Sequence, residues 1–208
     1  CVTTMKSNIG RISALFSFCE RRGWIEKNPC KFLERVKVDS KPPRILSVEE
    51  SNRLTEYVRS QKPNQLAFIA LALYAGVRPE ELEKLTWDSI DFERSILTVD
   101  AAASKVRRRR VVHLHSKAFH LLNEAKSKGA KLPIKRQTRR RYLSQACDVL
   151  GFKSWPQDCM RHTAASYLLA IHQDAGIVAR WLGNSPRILL QHYIELAPKE
   201  HATEFFKI

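Results

Sequence analysis

The sequence predicts a mainly α-helical fold carrying one small antiparallel β-meander, an α+β arrangement, and three observations predict it. Apolar residues recur at spacings of three and four along most of the chain, the period of one helix face. Two short runs rich in β-branched residues, SILTVDA and RRVVHLH, flank the polar, turn-like SKVRRR, as paired strands do. The 208 residues, 44% hydrophobic, suffice for one good-sized core plus a fragment of a second, since domains run about 100 to 200 residues.

The elements follow in chain order. In MKSNIGRISALFSFCERRG, residues Ile9, Ile12, Leu15, Phe16 and Cys19 mark a helix over 5–23 that Gly23 stops. One helix and the segment NPCKFLERV cannot enclose a core, so residues 1–36 read as the tail of a helical domain. KVDSKPPR, charged and proline-bearing, reads as an extended linker over 37–45, and residues 46–208 form the main domain. SVEESNRLTEYV opens a helix with Ser47 as N-cap and Glu50 three residues on, a capping box. NQLAFIALALYAG, almost wholly apolar, reads as a central helix ended by Gly76, and ELEKLTWDSI as a short helix. After the two strands, helical spacing returns in KAFHLLNEAKSK, in RRRYLSQACDVLG, in RHTAASYLLAIH and in the last 35 residues. There Ser185 can cap a helix whose first residue is Pro186, with Leu189, Leu190, Tyr193 and Leu196 on one side.

Charge narrows the class of partner. Lys and Arg total 36 against 21 Asp and Glu, a formal net charge of +15. Such a surplus favours a polyanion, because each neutralised phosphate releases condensed counterions. No apolar run approaches the roughly 18 residues that cross a membrane, and no signal-peptide pattern is present, so nucleic acid is preferred. The five cysteines form no CxxC pair and no zinc-finger spacing. They read as packing residues of a reduced, cytosolic protein, and no metal ligand set is evident.

Single residues say little about chemistry. Arg78, in AGVRPEEL, reads alone as a surface arginine at a helix boundary, and Tyr193, in LGNSPRILLQHYIEL, as a core contact whose hydroxyl finds one hydrogen bond. The set says more. AGVRPEEL resembles the Gly-x-Arg-x-x-Glu-Leu motif of the tyrosine recombinases, or phage integrases, with Glu81 and Leu82 in register. SKVRRRRVVHL resembles that family's lysine hairpin and makes Lys105 the candidate. DCMRHTAASYL resembles its His-x-x-Arg-His-Thr motif, placing Arg161, His162 and Thr163, and LGN followed nine residues later by Tyr193 resembles its Leu-Gly-His and nucleophile. The resemblance implies that residues 46–208 are a tyrosine recombinase catalytic domain and that residues 1–36 end a core-binding domain.

It also implies a mechanism. A tyrosine hydroxyl attacks a DNA phosphodiester, leaving a 3′-phosphotyrosyl bond and a 5′-hydroxyl, so the bond energy is kept for rejoining and no cofactor or metal is needed. A phenol of pKa about 10 is a poor nucleophile at neutral pH and needs cationic surroundings. Arg78 and Arg161 would hold the nonbridging oxygens, Lys105 would protonate the leaving oxygen, and Glu81 and His162 would support them. Any of Arg107, Arg108, Arg109 and Arg110 would hold a phosphate. Arg139, Arg140 and Arg141 open a helix whose apolar side is Tyr142, Leu143, Ala146, Val149 and Leu150, and would lie against duplex DNA as phosphate contacts. The implied assembly is a monomer when free and a tetramer on double-stranded DNA.

Two positions depart from the family pattern. Asp158 stands where the family has histidine, and Asn184 where it has histidine or tryptophan. The second is mild, since an amide can still donate to phosphate. The first is serious, because a carboxylate about 4 Å from a phosphate repels it by up to ~4 kcal/mol at an effective dielectric near 20. Asp158 is either protonated by burial, or turned away to anchor Arg161 or His162, or the mark of a degenerate recombinase that binds DNA without cutting it. A non-catalytic DNA-binding protein accounts for the charge but not for the motif spacing, and type IB topoisomerases share the chemistry but match the motifs less well. RNA binding lacks a visible aromatic stacking motif. At the C-terminus, Phe205, Phe206 and Ile208 either fold back on their own core or, as the resemblance implies, form a peg for a neighbouring subunit; a tail packed wholly within its own chain dismisses the peg.

Overall fold

A computed structural model describes residues 2–33, 42–102, 109–193 and 197–207. The chain divides into two compact units, residues 1–42 and 43–208. Most of the expected linker lies outside the described residues, as do Lys105, Arg107, Arg108, Leu196 and Ile208.

The first unit is built on helix α1 (Val2–Arg21). Gly23, at φ +72°, turns the chain, and Trp24 packs edge-on against Phe18. Buried Asn28 ties the return segment to the helix. Its amide donates to the Ser13 carbonyl at 3.0 Å and to Ser17 Oγ at 2.8 Å, and its Oδ1 accepts from the Cys30 N–H at 2.8 Å. Met5, Ile12, Leu15 and Phe32 stay exposed, which fits the expectation that so short a piece encloses no core.

The second unit is mostly helical with one three-stranded sheet. Helix α2 (Val48–Gln61) begins with the capping box read from sequence, Ser47 Oγ accepting from the Glu50 N–H and Glu50 accepting from the Ser47 N–H. The apolar segment departs from a plain helix. Helix α3 (Leu66–Ile69) passes directly into a π-helical turn, Ala70–Tyr74, in which the Ala75 N–H reaches back to the Ala70 carbonyl. The whole segment is buried, so tertiary packing on every side stabilises the wider turn. It stops at Gly76, φ +63°.

ELEKLTWDSI is not a helix. Residues 79–84 form hydrogen-bonded turns, Trp87–Ser89 one 3-10 turn, and the chain then enters strand β1 (Ile90–Asp91). The segment is organised by the Glu81 side chain, whose Oε2 accepts from the Arg78 N–H at 2.9 Å, and by the Leu82 carbonyl, which accepts from the Ile134 N–H at 2.8 Å. Strands β2 (Ile96–Val99) and β3 (Arg110–His113) complete an antiparallel meander in the order β1-β2-β3. In register, Ile90 faces Leu97 and Val99 faces Arg110.

Five further helices and a C-terminal one follow the sequence pattern. Helix α4 (Ser116–Ser127) and helix α5 (Arg136–Leu150) flank the core, α5 ending at left-handed Gly151. Helix α6 (Cys159–His172) runs through the centre, buried from Cys159 to Leu169 apart from His162. Helix α7 (Ala175–Leu182) is capped by Asp174 and ends at Gly183, φ +64°. Helix α8 (Pro186–Tyr193) starts at the expected proline. Helix α9 (Lys199–Phe206) folds back on its own chain: Phe205 stacks on Tyr167 at 4.2 Å and Phe206 on His115 at 4.2 Å. Both phenylalanines are buried, as the fold-back reading expects of these two residues, while Ile208 lies outside the described residues. Among the described residues no helix is long and apolar enough to cross a membrane, and Cys19, Cys30, Cys147 and Cys159 are free thiols.

Candidate active site

The second unit brings together residues that lie far apart in sequence. Where the π-helical turn ends, Gly76 lets the chain pass within contact of α6 and α7: a Cβ there would stand 2.6 Å from Leu182 Cδ2 and 3.1 Å from Ala164 Cβ. The close approach aims the Gly76 carbonyl at the Arg161 guanidinium, which donates to it. Arg161, in the first turn of α6 and 8% exposed, also donates to the Leu182 carbonyl at 2.6 Å. Arg78, two residues past Gly76, donates to the Gly183 carbonyl and, at 3.2 Å, to Glu81 Oε1.

The two guanidiniums converge on one oxygen. Asn184 Oδ1 accepts from Arg78 Nη2 at 2.7 Å and from Arg161 Nη2 at 3.0 Å. Asn184 was expected to donate to phosphate; here its carbonyl oxygen accepts, at the place where two forks of donors meet. Gly183 makes room, since a Cβ on it would stand 3.0 Å from Arg78 Nη1 and 3.3 Å from Arg110 Cδ. An oxyanion between the two forks would find the same donors.

Tyr193 ends α8, 6% exposed. Its hydroxyl and His162 Nδ1 share a hydrogen bond of 2.7 Å, with the rings at 5.5 Å. Burial holds the phenol above its ordinary pKa of 10, the Arg161 charge pulls it back, Asp158 pushes it up again, and Arg78 lowers it. Burial and the neighbouring Arg78 cation push Arg161 down to about 9, which leaves it cationic at neutral pH. Glu81, fully buried, feels burial pushing its pKa up, but the hydrogen bonds and charge of Arg110 together with Arg78 outweigh it, and the carboxyl sits below its ordinary range. Among the described residues, the buried part of the cluster therefore holds three guanidiniums, those of Arg78, Arg110 and Arg161, against the Glu81 carboxylate.

Asp158 lies at the N-cap of α6 in the left-handed region, φ 52°, exposed, and its side chain caps nothing. Asp158 is exposed, not buried as the first account requires, and no hydrogen bond joins its side chain to Arg161 or His162 among the described residues. Of the arginines expected on DNA, Arg109, Arg140 and Arg141 are exposed. Two others turn inward. Arg139 donates to the Pro79 carbonyl at 2.6 Å and to Glu83 at 3.2 Å. Arg110 donates to both Glu81 oxygens and to the Trp181 carbonyl. Strand parity carried that signal: Arg110 shares a face with Val112 and Leu114, and both of those are buried. Carbonyls of Gly76, Leu182 and Gly183 also hold the arginines, a role that no side-chain motif encodes.

Residues 44–200 match the model of the phage integrase family. The chain is similar to tyrosine recombinase XerC of Roseiflexus castenholzii, 26% identical over 93% of this chain and 68% of that one. It is similar also to XerC of Thermodesulfovibrio yellowstonii, 24% identical over 96% and 76%. In fold it is similar to the Tn1549 transposon integrase, solved in complex with transposon right end DNA, with a TM-score of 0.72 at 16% identity over 97% of this chain and 77% of that one.

Proposed function

The chain belongs to the phage integrase family, and from that premise we propose that it is a site-specific DNA recombinase that cuts and rejoins duplex DNA through a 3′-phosphotyrosyl intermediate on Tyr193. Residues 46–208 are the catalytic domain and residues 1–36 the end of a core-binding domain. The observation that best supports the reading is the convergence of Arg78 and Arg161 on a single oxygen, Asn184 Oδ1.

In this reading a DNA phosphate displaces Asn184 Oδ1 and its nonbridging oxygens take up the two guanidiniums. The Tyr193 hydroxyl attacks phosphorus while its proton passes toward His162 Nδ1, 2.7 Å away. The P–O5′ bond breaks and Lys105 gives the departing oxygen a proton. Charge developing on the pentavalent phosphorane is met by donors already held in place by backbone carbonyls and Glu81, so little reorganisation accompanies the reaction. Duplex DNA is gripped by exposed Arg109, Arg140 and Arg141 with Arg107 and Arg108, and the active form on DNA is a tetramer of a chain that is monomeric when free.

A nicked duplex from which the short fragment bearing the new 5′-hydroxyl diffuses away after cleavage traps the covalent adduct. The wild-type chain is expected to accumulate it slowly, with Tyr193→Phe as the blank. The second reading, a chain that binds DNA without cutting, draws on the exposed Asp158 carboxylate; adduct absent under every condition, with binding retained, selects it.

A further inference from the structure

We propose that Arg110 is a positioning residue that fastens the start of β3, and with it the hairpin carrying Lys105, to the arginine pair. The proposal rests on the reading of Lys105 as general acid. Arg110 opens β3, faces Val99 in register and has a side chain only 8% exposed. Its Nη1 and Nη2 donate side by side to Glu81 Oε1 and Oε2 at 2.8 and 2.6 Å, and its Nε donates to the Trp181 carbonyl at 2.7 Å. Glu81 in turn accepts from the backbone N–H and Nη1 of Arg78.

One planar side chain thus clamps three separate pieces of chain: the turn that presents Arg78, the strand leaving the lysine hairpin, and the end of α7 that presents Gly183 and Asn184. The fork geometry is what makes the clamp, and an ammonium group offers no equivalent. Three of its five N–H donors go to protein acceptors and none to the Asn184 oxygen where Arg78 and Arg161 meet, so Arg110 acts on the pair from behind. Lys105 is close in sequence, and five residues of chain span at most about 18 Å. Fixing Arg110 therefore limits where the lysine can reach.

Leaving-group chemistry separates this role from general support of the site. Cleavage forms the bond from phosphorus to the Tyr193 oxygen, breaks P–O5′ and sends a proton to O5′. With sulfur in place of the bridging 5′ oxygen, the leaving group is a thiolate whose conjugate acid has a pKa of about 8.5, far below that of the hydroxyl it replaces. It departs without a proton. Single-turnover adduct formation is measured on both duplexes for wild type, Lys105→Ala, Arg110→Ala and Arg110→Lys, with a thermal melt to confirm folding. A general acid contributes about 10²- to 10⁴-fold. Arg110→Ala is expected to lose about 100-fold on the oxygen duplex and clearly less on the sulfur duplex, where the remaining loss reports the Arg78 turn and the α7 end that the same fork holds, with Arg110→Lys between it and wild type. Equal losses on the two duplexes, or none on either, overturn the proposal. Sulfur rescue in Arg110→Ala but not in Lys105→Ala keeps the coupling and removes Lys105 as the acid. Should Arg110→Ala fail to fold, Arg110→Lys and Arg110→Gln carry the same comparison.

Discussion

Two carboxylates set the charge that a phosphate would meet. Glu81 lies inside, fully buried, and is held by the Arg110 fork and by Arg78; its charge is matched, and it stiffens the site without cancelling the pair of arginines. Asp158 lies outside, exposed and uncapped, and its charge helps to hold the Tyr193 phenol protonated. If it faces the incoming phosphate it opposes the transition state, where each well-placed donor contributes about 10²- to 10³-fold. Asp158→His is therefore expected to raise single-turnover adduct formation by about tenfold or more, and Asp158→Asn by less. An unchanged rate in both variants would place the carboxylate off the reaction path. The meeting of Arg78 and Arg161 was foreshadowed in the sequence by the order and spacing of the motifs that carry them, whereas Asn184, a departure from the motif, was expected to donate and instead accepts. The inward turn of Arg110 could be read only from strand parity, which sets it on the face of buried Val112 and Leu114, because the run of four arginines, 107 to 110, has no internal contrast of its own.

At the scale of elements, the site depends on how α3 ends. The π-helical turn and Gly76 bring the Arg78 segment against α6 and α7, and the Gly76 carbonyl is one of the acceptors that hold Arg161. Gly76→Ala adds a side chain at φ +63°, 2.6 Å from Leu182 Cδ2, itself wholly buried. A left-handed residue costs about 1–2 kcal/mol and crowding a packed core about 1–3 kcal/mol more. Thermal denaturation is expected to show a fall of about 5 °C or more for a domain this size, with adduct formation reduced further because Arg161 moves with its carbonyl. The variant melting with wild type would mean that α7 yields freely and the approach is not tight. Sequence periodicity could not foresee the π turn, because a segment apolar on all sides carries no phase. It misread ELEKLTWDSI for a different reason: Leu82 and Leu85 have helical spacing, yet Glu81 turns its carboxylate back onto the Arg78 N–H and closes a turn. The capping box at Ser47, the proline start of α8 and the strands at 96–99 and 110–113 were legible because each has a local chemical cause.

For the whole molecule, the net charge of +15 predicts affinity for a polyanion but not which cations deliver it. Burial sorts them. Arg110 and Arg139 have side chains 8% and 14% exposed, each bound to a carboxylate and a backbone carbonyl. Arg140 and Arg141, the next residues along α5, stand in solvent. A cation already paired inside the protein displaces no counterion from DNA, whereas each exposed one that meets a phosphate steepens the fall of log K with log salt by about 0.9. The Arg140→Ala/Arg141→Ala double variant is thus expected to flatten that slope by about 1.8 on duplex DNA and to weaken binding uniformly across sequences, as phosphate contacts do. Arg139→Ala should leave the slope unchanged, any loss of affinity arising instead from a disturbed turn at Pro79. Titrations at several salt concentrations decide between them: an equal change of slope in both variants would mean that Arg139 leaves Glu83 for the DNA and that the inward geometry is exchanged on binding.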